Sequence, residues 1–140
     1  MLLCTLVVGL AVGAMGRPVE IRAHNQPAQL DIRPAGDSSV RVTLKPVSFE
    51  PDFPFTPALA ERKYPAPAVS LREIDRAVRA KVGGVNVEVL PRPLTVTVTG
   101  ADGRPIQAVT FHDDGTLSFK TGGGPVLGMG EGGPLPRGTR

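Results

Sequence analysis

The side chains most able to do chemistry are sparse and scattered. His24 and His112 are the only histidines and Cys4 is the only cysteine. Zinc and other transition metals need three or four nitrogen or sulfur ligands converging on one point, so the two histidines read as structural or surface residues and no metal is expected. Asp113 and Asp114 are adjacent carboxylates followed by Gly115. A glycosidase pair must converge on a sugar from separate elements, whereas Asp-Asp-Gly is turn chemistry. Ser38, Ser39, Ser48, Ser70 and Ser118 all lack the G-x-S-x-G setting of a nucleophile elbow. Gly128-Met129-Gly130-Glu131-Gly132-Gly133 fits G-x-G-x-x-G, but Pro134 and Pro136 follow where a dinucleotide site needs a helix to begin. No catalytic constellation and no cofactor site emerge.

Composition narrows the class further. The 140 residues carry 16 basic and 13 acidic groups, with no Trp and one Tyr. That is weak electrostatics and a poor stacking inventory, and it argues against DNA or RNA as a partner. Leu, Ile, Val and Phe supply 39 residues, enough for one packed domain. The 17 glycines and 15 prolines concentrate in two stretches and make the domain rich in loops.

The stretch 1–16 contains no charge and is dominated by Leu, Val, Ala and Gly. It is shorter than the ~18–20 residues that span a hydrocarbon core and reads as a removable signal peptide, although a positive n-region is lacking. Ala14 and Gly16 are the candidate cleavage positions, and the expected destination is secreted or periplasmic. Removal of this leader takes away Cys4, so disulfides play no part.

From residue 19 the apolar residues recur every second position: Val19, Ile21 and Ala23, then Leu30 and Ile32, then Val40, Val42 and Leu44. This is the pattern of half-buried antiparallel strands. Residues 30–33 and 39–45 are expected to pair as a hairpin across the turn formers between them. Farther on, Val85–Val89, Leu94–Val98, Ile106–Phe111 and Leu117–Phe119 form a meander punctuated by Pro-Arg-Pro, Gly-Ala-Asp-Gly and Asp-Asp-Gly. Burying one apolar face of such strands takes a second layer, and the expected fold is an all-β antiparallel sandwich over 19–120. One short helix is expected over 71–77, because Ser70-Leu71-Arg72-Glu73 is a capping box, Leu71, Ile74 and Val78 share a helical face, and Gly83-Gly84 can stop it. The strand-like alternation of Val78, Ala80 and Val82 leaves 78–82 open.

Two stretches stand apart. Residues 46–67 hold six prolines together with Phe49, Phe53, Phe55 and Tyr64, which makes them a long excursion rather than an element. Aromatics on a stiffened loop suit sugar stacking, so these four are the candidate binding residues; their packing against the sheet is the favoured alternative. Residues 121–138 hold eight glycines and three prolines and read as a tail or a junction.

The run Val85-Asn86-Val87-Glu88-Val89-Leu90-Pro91-Arg92-Pro93-Leu94-Thr95-Val96-Thr97-Val98, followed by Ala101-Asp102-Gly103-Arg104 and later by Gly128-Met129-Gly130-Glu131, resembles the N-terminal sandwich of glycoside hydrolase family 31, the α-glucosidase and α-xylosidase family. Leu30-Asp31-Ile32-Arg33 and Ser39-Val40-Arg41-Val42 look like the opening strands of the same galactose mutarotase-like domain. The resemblance covers roughly residues 19–133, and G-x-G-E is its distinctive motif. It implies a retaining α-glycoside hydrolase whose two catalytic aspartates lie in a (β/α)₈ barrel C-terminal to the sandwich, so no residue of this chain inherits either role. Gly128, Gly130 and Glu131 match the segment leading to that barrel and are expected to be structural. The chain then serves as a non-catalytic domain that packs on the barrel and shapes its entrance, with the loop 46–67 a candidate to reach toward the mouth. The competing expectation is an independent exported sandwich that binds glycan or a protein through Phe49, Phe53, Phe55 and Tyr64.

Overall fold

The computed structural model describes residues 17–51 and 63–121. The leader, Phe53, Phe55, Gly128, Gly130, Glu131 and nearly all of the Gly/Pro-rich stretch lie outside these residues. The described chain is all-β and antiparallel. Its strands are β1 (Val19–Glu20), β2 (Arg22–Ala23), β3 (Gln26–Gly36), β4 (Ser39–Pro46), β5 (Val69–Leu71), β6 (Glu73–Ile74), β7 (Val78–Val82), β8 (Val85–Pro91), β9 (Leu94–Thr99), β10 (Pro105–Phe111) and β11 (Leu117–Phe119).

Two main sheets form a sandwich-like arrangement. One is the five-stranded meander β11-β10-β9-β8-β7; the other is built around β3, which pairs with β2, β4 and β5, while β1 and β6 pair beside it. A single core joins them. Ala28, Leu30, Ile32 and Val69 come from the β3 sheet, Ile74 from the β1–β6 pair, and Val82, Val85, Val87, Val89 and Val96 from the meander. These are the alternating positions of each strand, as a period-two pattern requires when one face is buried.

The expected hairpin is present, with β3 and β4 in register from Ala28↔Pro46 to Gly36↔Ser39. Its tip is tighter than the turn-former run suggests, being the pair Asp37 and Ser38, and Pro34 sits where the register shifts, so no regular ladder bond is lost to it. A second tight hairpin joins β2 to β3 through His24 and Asn25, both at positive φ (49° and 61°), the conformation of a type I′ turn.

The helix over 71–77 does not form. Leu71 ends β5 opposite Leu30, Glu73 and Ile74 make β6, and the open segment 78–82 is strand β7, paired with β8 from Val78↔Val89 to Val82↔Val85. The capping-box residues are spent on the sheet instead. The Ser70 hydroxyl donates to Asp31 Oδ1 at 2.7 Å, and Arg72 Nε donates to Gln29 Oε1 at 2.9 Å. A short helix gains little on its own, whereas β5 and β6 each complete a ladder over the core, so tertiary pairing overrides the local signal.

Gly83 and Gly84 are likewise not a helix stop but the turn of the β7–β8 hairpin. Gly83 has φ +60°. The Gly84 N–H donates to the Asp37 carbonyl at 2.8 Å, so the tips of two hairpins from opposite sheets are bonded to each other. A Cβ at Gly84 would fall well inside contact distance of that carbonyl oxygen, which is why the close approach needs glycine.

Candidate functional site

The proline-rich excursion is held to the outer face of the β3 sheet largely by cations. Lys45 Nζ donates to the Pro51 carbonyl at 2.8 Å and Arg33 Nη1 to the Pro65 carbonyl at 3.0 Å. The Arg41 guanidinium lies 4.7 Å from the centre of the Tyr64 ring, a cation–π contact. Asp31 and Arg33 are 1% and 4% exposed and face each other at 3.7 Å. Asp31 also accepts from Gln29 Nε2 and from the Ser70 hydroxyl. A carboxylate this deeply buried is tolerable because the Gln29 amide, the Ser70 hydroxyl and the Arg33 guanidinium surround it.

Among the candidate binding aromatics, Tyr64 is half-buried with its ring engaged by Arg41, and Phe49 is half-buried with its N–H bonded to the Pro46 carbonyl. Phe53 and Phe55 lie outside the described residues. Of the described pair, Tyr64 is held beside Arg41 of β4 and Phe49 lies just past the end of that strand. The buried Asp31–Arg33 pair was not visible in the strand pattern, because alternation assigns both residues to a solvent face, and nothing local signals that a loop returns over it.

The core does not run the full width of the meander. Cross-strand partners share a face, so Val109 and Phe119, aligned with Val96, and Phe111 and Leu117, aligned with Leu94, all look toward the β3 sheet. Phe111 reaches the core cluster, but Val109 and Phe119 do not. Leu117 is 53% exposed, and Ile106, at the register shift that opens β10, is 56% exposed. Beyond Gln107, the core-side face of β10 and β11 is thus an apolar ledge of Val109, Phe111, Leu117 and Phe119. Threonine patterning places the polar face on the other side: Thr95 and Thr110 are aligned there, with their hydroxyls 3.0 Å apart.

At the end of the sandwich where β1, the β8–β9 turn and the β10–β11 turn meet, the ledge runs into a cleft of about 350 Å³. Buried Ile21 and Ile74 and half-buried Leu94 and Phe111 give it an apolar floor, and Glu20, Arg22, Arg92, His112 and Asp113 supply a polar rim. The Arg92–Pro93 bond in the turn beside it is cis. Arg22 Nη1 pairs with Glu20 Oε2 at 2.6 Å and Arg22 Nη2 donates to the Asn25 carbonyl. His112 Nε2 lies 2.9 Å from the Ser118 hydroxyl.

The two histidines that sequence placed far apart both come to this end. The His24 ring packs over Gly115, which has φ +88°, and both rings stand near Asp114. The Thr116 hydroxyl, donating at 2.7 Å, and then the Thr116 N–H hold the Asp114 carboxyl below its ordinary range, with smaller help from His112 and His24. Asp114 is therefore a turn residue, as Asp-Asp-Gly suggested. Among the described residues no group of three or more His, Cys, Asp and Glu side chains could hold a metal ion, and no helix is long and apolar enough to cross a membrane.

No family model, no curated protein and no solved structure matches the chain.

Proposed function

We propose that the chain is a non-catalytic β-sandwich-like domain of an exported α-glycoside hydrolase, which docks on a catalytic barrel and helps shape its entrance. The observation that carries the docking half of this reading is the apolar ledge on β10 and β11, whose Leu117 is more than half exposed beside half-buried Val109, Phe111 and Phe119. A contiguous apolar face rimmed by polar groups is what an interface with another folded body leaves when that body is not there. The identity of the body rests on the sequence resemblance around Val85–Arg104 and Gly128–Glu131.

The test has two arms. The chain is expressed together with a barrel of this hydrolase family encoded at the same locus, and the two are expected to co-elute on size exclusion. The purified chain alone, offered aryl α-glucosides and α-xylosides, is expected to turn over neither. A chain that ignores the barrel and stays a clean monomer by light scattering overturns the docking reading, and turnover by the chain alone overturns the non-catalytic one.

A further inference from the structure

The cleft has a chemistry of its own, separate from the ledge. Its rim holds two carboxylates, Glu20 and Asp113, and two guanidinium groups, Arg22 and Arg92, so it carries no net charge with His112 neutral. Such a rim exerts no long-range pull on an ion of either sign, yet it offers both acceptors and forked donors. A carboxylate takes two neighbouring hydroxyl protons, and a guanidinium gives two N–H groups to neighbouring oxygens. The Arg22 fork is held in place by Glu20 and by the Asn25 carbonyl, so little side-chain freedom is left to lose on binding. Below the rim, the Phe111 ring with Pro91, Pro93 and Leu94 presents the aromatic and aliphatic surface that suits the C–H face of a saturated ring. The volume of about 350 Å³ falls at the small end of the ~300–1,000 Å³ usual for ligand sites.

We propose that this cleft, formed by β1, the Pro91–Leu94 turn and Phe111–Asp113, is a binding site for a neutral polyhydroxylated ligand, a sugar ring rather than an anion. It is distinct from the aromatic loop, and it does not depend on the docking reading, because none of its polar rim lies on the ledge.

The test is an NMR titration of the full chain, with amide shifts followed as maltose or xylose is added and, separately, glucuronate and inorganic phosphate. A neutral sugar is expected to give saturable shifts centred on 20–22, 92, 94 and 111–113, with a dissociation constant of about 1 mM. The double variant Arg92→Ala with Asp113→Asn is expected to weaken it about tenfold or more, through loss of two charge-assisted contacts. Both residues are exposed, and an unchanged amide spectrum elsewhere establishes that the variant is folded. Lys81→Ala, at an exposed position on β7 that does not line the cleft, is expected to leave binding unchanged. The proposal is overturned by the absence of saturation with either sugar up to about 50 mM, well beyond such a constant. Equal binding by the double variant, or phosphate binding tighter than sugar, overturns it as well. Co-elution with a barrel is read separately, so failure here and failure of docking are told apart.

Discussion

Gly84→Ala is the sharpest perturbation of the way the two sheets are joined. Gly84 is exposed and its φ is not positive, so alanine is allowed there by its own backbone, and stiffening the unfolded chain stabilises by about 0.4–1 kcal/mol. Against that gain stands the Asp37 carbonyl, into which the new Cβ would project. Moving the tip aside breaks the 2.8 Å bond from Gly84 N–H to Asp37 O, worth about 0.5–1.5 kcal/mol net because both groups then reach water. Over-packing a fitted contact adds about 1–3 kcal/mol. The balance is a loss of about 0.5–4 kcal/mol, or a fall in Tm of at least about 2 °C for a domain of this size. Urea denaturation with an unchanged m-value is the assay. Asp37→Ala is the control, since the acceptor is a main-chain oxygen; it is expected to stay within about 0.5 kcal/mol of the parent. If Gly84→Ala is as stable as the parent, or if Asp37→Ala loses as much, the contact between tips is not what holds this end.

Asp31→Ala is expected to cost about 1–3 kcal/mol in the same assay, because it takes the buried acceptor away from the Ser70 hydroxyl and Gln29 Nε2. Ile106→Lys with Leu117→Lys, both at exposed positions, is expected to change stability by less than about 0.5 kcal/mol while lowering the hydrodynamic size seen by light scattering at high concentration. Asp114 is held below its ordinary value of 3.8 by Thr116, so its contribution to stability is fully present above that pH and is lost as pH falls through the depressed folded value. An acid titration of Tm is expected to show a shallower decline below pH 3.8 in Asp114→Asn than in the parent. A decline of equal slope removes Asp114 from the account.

What the sequence made legible follows from burial. Val85, Val87, Val89 and Val96 alternate because one face of an antiparallel meander meets a core and the other meets water, and that asymmetry is written residue by residue. The helix expectation failed for the complementary reason. Ser70 and Arg72 read as local capping residues, but their partners, Asp31 and Gln29, lie 39 and 43 positions away, where no short-range rule looks. Gly83-Gly84 punctuated the chain correctly and was given the wrong element, since a glycine pair marks a turn without saying whether the flanks are helix or strand. His24 and Asn25 carried a usable signal: asparagine tolerates positive φ, and a polar pair between Ala23 and Gln26 is where a two-residue turn belongs. The cleft was illegible, because Glu20, Arg92 and Asp113 are brought together only when β1 and two turns meet at one end.

The two ends of the sandwich are built differently, and this difference carries the functional argument. At one end the β3–β4 and β7–β8 tips are fastened by a main-chain bond at Gly84, which leaves neither sheet free to part from the other there. At the opposite end the His24 ring rests against Gly115, while β1 and the Pro91–Leu94 turn stand apart across the cleft. A ligand or partner can engage this second end without competing against the core, because the fully buried residues Leu30, Ile32 and Val89 stay covered whatever fills the cleft. The ledge begins beside that same end at Phe111, a residue that touches the core, lines the cleft and shares a face with Leu117. Phe111 is therefore shared by the two surfaces. A sugar titration repeated with the barrel bound is expected to change the affinity measured for the chain alone, and identical affinities would show that Phe111 does not couple the two surfaces.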